Sequence, residues 1–218
     1  METTNPAATT ELAPAETDVR TRSRLIRAAV SVFDRKGYAA ASVREIVEMA
    51  GVTKPALYYH FGSKEGLLTT VLDEASREFA AVTARAVGRT GTARHRLEAL
   101  CEDLHGLFQE HVPVVRVAHA TFFGPVEGAP PFDFTTFDRQ LETAVRQIVE
   151  EGQATGEIAR AASAVDVSLV IMGVIGVFAV RQPHYGFEPI GLETMRRVLG
   201  LVFDGALGEQ RQQGERRP

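Results

Sequence analysis

The sequence has very little cysteine and no long apolar run, and both shortages narrow the class of protein. Cys101 is its only cysteine in 218 residues, so an internal disulfide is impossible and a reducing compartment is expected. The longest apolar run, "LVIMGVIGVFAV" at 169–180, is much shorter than the roughly 20 residues that a membrane span needs. Residues 1–18 contain no basic residue and no apolar run, so no signal peptide is predicted. We therefore expect a cytoplasmic protein without a membrane partner.

Signatures of catalysis and of metal binding are also missing. The sequence contains no Gly-rich phosphate loop, no Gly-x-Ser-x-Gly elbow and no zinc signature. Cys101 and His105 are one helical turn apart and could be two metal ligands, but a third ligand at a fixed spacing is lacking. A buried thiol beside a core histidine is the simpler interpretation. We predict no enzyme, no cofactor and no metal site, and turnover of any substrate would contradict the first of these predictions.

Charge is distributed unevenly along the chain. The net charge of −4 combines four acids and no base in residues 1–18, nine Lys/Arg and three acids in 19–64, and fifteen Lys/Arg and twenty-one acids in 65–218. A basic segment attached to an acidic body suggests a polyanionic partner at one end of the protein. An excess of solvated arginines would give the same composition, so charge alone does not decide the function.

The apolar periodicity predicts helices almost throughout, and therefore an all-α fold of about nine helices. Residues 1–18 and 208–218 lack this periodicity and are predicted to be disordered tails. Three short helices are predicted at about 21–36, 42–50 and 53–61, before a long helix that Ser63 caps. Its apolar stripe runs from Leu68 to Ala86.

The second and third predicted helices have the features of a helix-turn-helix motif. Ser42 and Glu45 have the spacing of a capping box, and Gly51 ends the second helix. Thr53 is predicted to cap the third helix, with Pro55 in its first turn. Two short helices joined through a glycine form a helix-turn-helix, whose second helix enters the major groove of DNA.

The third helix is unusually polar and aromatic for a helix that only packs. Lys54 can donate to guanine or to a phosphate, and Pro55 and Ala56 offer small apolar surfaces to a thymine methyl group. Tyr58 and Tyr59 offer hydroxyl donors. Alternatively, the tyrosines cover the edge of a core and Lys54 is solvated, because a helix-turn-helix can also be a packing motif alone.

The stretch "LIRAAVSVFDRKGYAAASVREIVEMAGVTKPALYYHFGSKEGLL" resembles the DNA-binding domain of the TetR/AcrR family of bacterial transcriptional regulators. The resemblance covers about residues 21–70. It implies a homeodomain-like three-helix DNA-binding domain, assigned here to 19–80, and a helical body, 81–207, that binds a ligand and dimerises. By this resemblance the DNA contacts are Ser42, Arg44, Thr53, Lys54, Pro55, Ala56, Tyr58, Tyr59, His60 and Lys64. We assign base reading to Arg44 and residues 54–56, and phosphate contacts to Tyr58, His60 and Lys64.

The apolar helix at about 165–180 is expected to be covered on more than one side. Gly173 and Gly176 would let another helix approach closely. The resemblance implies a four-helix interface with a second subunit, formed by this helix and the last one, although a purely intramolecular core would use the same residues. The predicted dimer contacts are Val170, Gly173, Val174, Val177, Leu192, Met195, Leu199 and Val202.

Aromatic and polar side chains of the body could line an apolar cavity with a few polar points, as small-molecule sites usually do. Ordinary core packing is the alternative for each of them. The predicted effector-binding residues are Cys101, Leu104, His105, Phe108, His119, Phe122, Phe123, Phe137 and Met172. Phe79, Phe132, Phe134 and Phe178 are further candidates.

The resulting hypothesis is a dimeric repressor that binds a palindromic DNA operator and is released by a small apolar or aromatic effector. Effector binding would tilt the long helix that starts near Glu65 and move the two DNA-reading helices out of register. A helical carrier of a hydrophobic ligand without a DNA function is the alternative. Salt-dependent binding to duplex DNA is expected only of the regulator.

Overall fold

The structure is a computed structural model that describes residues 14–124, 131–160, 163–181 and 190–214. The regular structure in these ranges is entirely helical, which confirms the predicted all-α class. None of the helices within these ranges is both long and apolar enough to cross a membrane. The nine helices of the described ranges are α1 (Pro14–Ala40), α2 (Val43–Ala50), α3 (Lys54–Phe61), α4 (Lys64–Gly88), α5 (Ala93–Glu110), α6 (Val112–Phe123), α7 (Phe134–Thr155), α8 (Ala164–Val180) and α9 (Leu192–Gly214).

The two ends of the chain are more helical than predicted. Helix α1 begins at Pro14, so the last part of the predicted disordered segment 1–18 is helical. Helix α9 continues to Gly214, through most of the predicted tail 208–218. One reason for the longer α1 is a tertiary contact that local composition does not reveal, because the Asp18 carboxylate lies 3.5 Å from His60 Nε2 of α3. Residues 1–13 and 215–218 lie outside the described ranges.

The chain divides into two compact units, residues 1–71 and 72–218, and the division falls within α4. This boundary lies a few residues before the predicted one between 80 and 81. In the N-terminal unit, α1 packs against α2 and α3. Its core consists of aliphatic and aromatic side chains from all three helices and from the start of α4, chiefly Leu25, Ala29, Phe33, Ile46, Leu57, Leu67 and Leu68.

The C-terminal unit is built around α5, α7, α8 and α9. Helix α8 buries one side, including Ile171, Ile175 and Phe178, against its neighbours. Leu169 and Val177, on its other side, remain 59% and 50% exposed. The expectation that α8 must be covered on more than one side is therefore not met within a single chain.

The predicted capping box at the start of α2 is present. Ser42 Oγ accepts a hydrogen bond from the backbone N–H of Glu45 at 3.2 Å, and Glu45 Oε2 accepts one from the backbone N–H of Ser42 at 3.2 Å. The Glu45 carboxylate also pairs with Lys36 of α1. The bonds from Lys36 and Ser42 lower the pKa of Glu45 to about 2. The box therefore joins α2 to α1 as well as closing its first turn.

The predicted cap of α3 is wrong in one respect. Thr53 does occupy the N-cap position, with φ −94° and ψ 158°, but its side chain makes no capping hydrogen bond. Pro55 lies in the first turn, where a missing N–H is tolerated. The start of α3 therefore depends on Pro55 and on packing rather than on the Thr53 hydroxyl.

These two helix starts allow a matched test of capping. Ser42→Ala removes an acceptor that satisfies a helix N–H, and we expect it to lower the free energy of unfolding by about 1 kcal/mol. Thr53→Ala removes a hydroxyl that caps nothing, so its effect is expected to stay within about 0.5 kcal/mol. Chemical denaturation of both variants measures this difference, and equal losses would contradict it.

Candidate nucleic-acid interface

Helix α3 has one buried side and one side open to solvent. Leu57 is fully buried in the N-terminal core. Tyr58 and Tyr59, the next two residues, are 50% and 79% exposed, and Lys54 and Pro55 at the start of the helix are also exposed. The polar and aromatic side chains of α3 are therefore presented outward, as the sequence predicts for a helix that reads DNA.

The turn before α3 requires glycine at Gly51. This residue adopts φ 61° and ψ 42°, and its N–H caps α2 through the carbonyls of Val47 and Glu48. Its own carbonyl accepts a hydrogen bond from Arg24 Nη2 of α1 at 3.1 Å. A Cβ atom on Gly51 would lie 2.5 Å from the same guanidinium nitrogen. Both the left-handed backbone and the close approach of Arg24 therefore favour glycine, and together they fix the angle at which α3 leaves α2.

Most of the predicted contact residues lie on accessible surface. Ser42, Arg44 and Thr53 are exposed, and Ala56 is partly exposed. The Arg44 Nε donates to Glu48 Oε1 at 2.7 Å, and this hydrogen bond raises the pKa of Arg44. Arg44 would therefore have to exchange its Glu48 partner for a base or a phosphate.

His60 is largely enclosed rather than displayed. Its side chain is only 7% exposed, and Nε2 lies 3.5 Å from the Asp18 carboxylate. Its ring packs edge-on against Tyr59, with the two centroids 5.1 Å apart. This position makes His60 a link between α3 and the first turns of α1, and a phosphate contact would have to compete with Asp18.

Lys64 is held inside the N-terminal unit. Its ammonium group donates to the carbonyl oxygens of Tyr38 and Ala41, both at 2.9 Å. It also lies 4.2 Å from the centroid of the Tyr38 ring, and burial lowers the pKa of Lys64. Lys64 therefore caps the carbonyl end of α1 and ties it to the start of α4. The predicted phosphate contact would require this ammonium group to leave both carbonyls.

Sequence reasoning missed the structural arginines of α1. Arg24 bonds the helix-turn-helix turn, and the Arg22 guanidinium carbon lies 5.7 Å from the centroid of the Phe61 ring. The charge excess in residues 19–64 was the available signal. In the sequence analysis these arginines were considered only as a source of attraction for a polyanion. The structure shows that two of them also hold α3 in place.

The predicted effector residues differ in how deeply they are buried. Cys101, Leu104 and Phe108 are packed in the core of the C-terminal unit, whereas Phe122 and Phe123 are 55% and 72% exposed. Desolvation raises the pKa of the Cys101 thiol to about 12, as expected of an inert core cysteine. Four others are partly buried, namely His105, His119, Phe137 and Met172. In the parts of the chain that the structure describes, no three His, Cys, Asp or Glu side chains cluster as metal ligands would.

The predicted dimer residues separate into three groups by exposure. Val170, Gly173 and Val177 form an exposed stripe on α8. Met195 and Leu199 of α9 are instead buried in the core of the single chain. Their spacing places them on the side of α9 that packs onto α5 and α8. The remaining three are partly buried, namely Val174, Leu192 and Val202.

The geometry of α2 and α3 defines a helix-turn-helix domain joined to a helical body. A profile described as "Bacterial regulatory proteins, tetR family" matches residues 25–71, which contain this domain. Over this domain the chain is similar to the tetR family, in agreement with the resemblance seen in its sequence. This match supports the prediction of a regulatory protein.

Two curated relatives match over part of the chain. The A-factor receptor protein of Streptomyces griseus is 48% identical over 56 residues, which are 26% of this chain and 20% of that protein. The HTH-type transcriptional activator FasR of Mycolicibacterium smegmatis is 41% identical over 81 residues, 37% of each chain. The match thus spans well under half of either relative.

The likeness to solved structures extends over both units. The transcriptional regulator FadR from Bacillus subtilis, solved in complex with stearoyl-CoA, superposes with a TM-score of 0.67. The superposition covers 84% of this chain and 98% of that one at 19% sequence identity. At this identity the comparison establishes the fold of the body.

The contacts of Lys64 give a prediction about stability. Lys64→Met should lower the free energy of unfolding of the N-terminal unit by about 1.5–3 kcal/mol, because two carbonyls lose a charged donor. Tyrosine fluorescence during chemical denaturation can report this, since three of the four tyrosines are Tyr38, Tyr58 and Tyr59 and there is no tryptophan.

Lys54→Met is the matched control for this measurement. Lys54 is exposed at the start of α3, so the loss of its charge should change stability by no more than about 0.5 kcal/mol. Equal stability of the two variants would show that the Lys64 contacts contribute nothing.

Proposed function

We propose that this protein is a cytoplasmic, ligand-responsive transcriptional regulator that binds a palindromic DNA operator as a homodimer. The observation that carries the proposal is the arrangement of buried and exposed side chains on α3. Its buried Leu57 anchors the helix, while Lys54, Pro55, Tyr58 and Tyr59 face solvent together. A short helix held in this way can enter a major groove with its N-terminal residues at the base edges.

The distribution of charge along the chain also supports DNA as the partner. The segment 19–64 has nine Lys/Arg and three acids, whereas the rest of the chain is acidic. A polyanion is therefore attracted to the unit that presents α3 and repelled by the body. This arrangement favours the DNA-binding function over a carrier of a hydrophobic ligand.

The exposed apolar stripe of α8 supports dimerisation. Val165, Leu169, Val170 and Val177 are each about half exposed, and Leu201 of α9 is 71% exposed. A contiguous apolar surface of this kind is a common mark of a protein–protein interface. Two copies paired about a two-fold axis would present two α3 helices to two half-sites, about 34–36 Å or a multiple of it apart.

Effector control is proposed for the body. One relative is named a receptor for A-factor, and the FadR structure contains stearoyl-CoA. We propose repression released by an effector, in which the liganded state holds α4 at an angle that no longer fits the operator. FasR is named an activator, so repression rather than activation is part of the proposal. The ligand can shift the balance only by its different affinities for the two states.

Two substitutions in α3 test the proposed division between base reading and phosphate contact. Lys54→Ala should relax sequence preference at one base pair of each half-site, with a cost of about 1–3 kcal/mol for the preferred base. Tyr58→Phe should weaken binding by a similar factor for every sequence. Binding of both variants to a randomised duplex library, starting from fragments selected from the source genome, measures the two profiles.

Salt dependence separates the regulator from the alternative carrier. The wild-type protein should lose affinity for duplex DNA steeply between 50 and 200 mM salt, because phosphate contacts release counterions. Absence of salt-dependent DNA binding would refute the regulator. Identical sequence profiles for the two variants would refute only the division of roles.

The dimer is tested by placing a charge in the apolar stripe. Leu169→Glu should convert the dimer to a monomer of 23.7 kDa, because a carboxylate in an apolar interface is desolvated without a partner. Val19→Glu is the matched control, since Val19 is 64% exposed in α1 and lies outside the stripe. Light scattering after size exclusion measures the mass, and a Leu169→Glu protein that stays dimeric would place the interface elsewhere.

A further inference from the structure

A groove on the C-terminal unit lies between the second half of α4 and α7. Its volume is about 580 Å³, which falls within the range of small-molecule sites. None of the nine predicted effector residues lines it. The residues that line it are Ala80, Thr83, Ala84 and Val87 of α4, and Thr136, Arg139, Gln140, Thr143, Ala144 and Gln147 of α7.

Contacts at both ends of the groove set the spacing between α4 and α7. At one end the rings of Phe79 and Phe137 stack with their centroids 3.7 Å apart. At the other end Arg96 of α5 donates to the carbonyl of Val87 at 2.7 Å and pairs with Glu151. Between these two supports α4 presents mainly small side chains, which leave the space unfilled. The groove is therefore open in this structure, and only the Gln140 amide must rotate to present its buried oxygen to a ligand.

Two neighbouring side chains of α7 give the groove its polarity. Gln140 Oε1 is buried and accepts no hydrogen bond from any described residue, an arrangement that a donor on a ligand would relieve. Arg139 is exposed and uses Nε and Nη2 on Thr135, at 3.3 and 2.7 Å. Within the described ranges its Nη1 has no protein acceptor, and a guanidinium group favours a carboxylate.

Four of the other eight lining residues are apolar and offer a surface to an alkyl chain, and the other four are Thr83, Thr136, Thr143 and Gln147. Ala80, Ala84, Val87 and Ala144 contribute methyl groups without a polar atom on the side chain. We propose that the groove is a binding site for a small amphipathic acid that has an alkyl body, a carboxylate for Arg139 and a hydroxyl or N–H donor for Gln140. Such a ligand would lie against α4, the helix that continues to Lys64, and in this respect the inference rests on the proposed function.

Three related molecules probe this chemistry on the full-length protein by isothermal titration calorimetry. 3-Hydroxydecanoate has the acid, the donor and the chain, decanoate lacks the donor, and 1,3-decanediol lacks the acid. We expect one saturable site per chain for 3-hydroxydecanoate, and affinity about tenfold lower for each of the other two. Failure of all three to bind, or equal affinity for all three, would overturn the proposal.

Two alanines of α4 provide a matched pair of variants. Ala84 lines the groove, whereas Ala81 is also exposed on α4 but does not line it. Ala84→Phe should weaken 3-hydroxydecanoate binding at least tenfold by filling the groove, and Ala81→Phe should leave it unchanged. Equal binding to both variants would place the ligand at another site.

Gln140→Leu tests the donor contact without filling the groove. It should remove the preference for 3-hydroxydecanoate over decanoate while leaving decanoate binding within about twofold, since only the amide acceptor is lost. A preference that survives this substitution would exclude Gln140 as the acceptor.

Binding of duplex DNA by the unliganded protein separates this inference from the proposed function. If DNA binds and no probe does, the groove proposal fails and the regulator stands. If the probes bind as expected and DNA does not, the groove remains a ligand site and the regulator fails.

Discussion

Burial of Leu57 is the constraint on which the DNA-facing surface depends. Helix α3 has only eight residues, too few to be stable by itself, so its position must come from packing. Leu57 is fully buried among the side chains of α1 and α2. Once that side chain is fixed, the helical period turns Tyr58 and Tyr59 away from the core. Lys54 is exposed as the first residue of the helix. The exposed side of α3 therefore depends on the burial of Leu57 in the core of the N-terminal unit.

Polar contacts then set the orientation that the apolar core leaves free. Arg24 holds the turn between α2 and α3 through the carbonyl of Gly51, and Lys64 holds the carbonyl end of α1. Glu45 joins α2 to Lys36. Each of these charged groups satisfies backbone or side-chain partners inside the unit, so part of the positive charge of residues 19–64 is structural. The charge available to a polyanion is smaller than the composition implies.

In the C-terminal unit, α8 and α4 likewise pack one side into the core and leave another side open. Ile171, Ile175 and Phe178 complete the core, and this leaves the Leu169 and Val177 side of α8 uncovered. On α4, small side chains opposite α7 leave a groove whose width is fixed by a ring stack at one end and an arginine at the other. An uncovered apolar stripe and an open groove are the two features of the body that a regulator can use.

Local sequence patterns were enough to predict the helical class, the short helices of the helix-turn-helix and the outward side of α3, because these depend on local periodicity, capping and turn residues. The capping box of Ser42 and Glu45 and the left-handed Gly51 needed no knowledge of distant residues. Tertiary packing was needed to show that His60 faces Asp18, that Lys64 bonds the carbonyls of Tyr38 and Ala41, and that Met195 and Leu199 lie in the core. It also revealed the groove between α4 and α7. Each of these depends on which helices meet, and contacts between residues far apart in the chain leave no periodic pattern in the sequence.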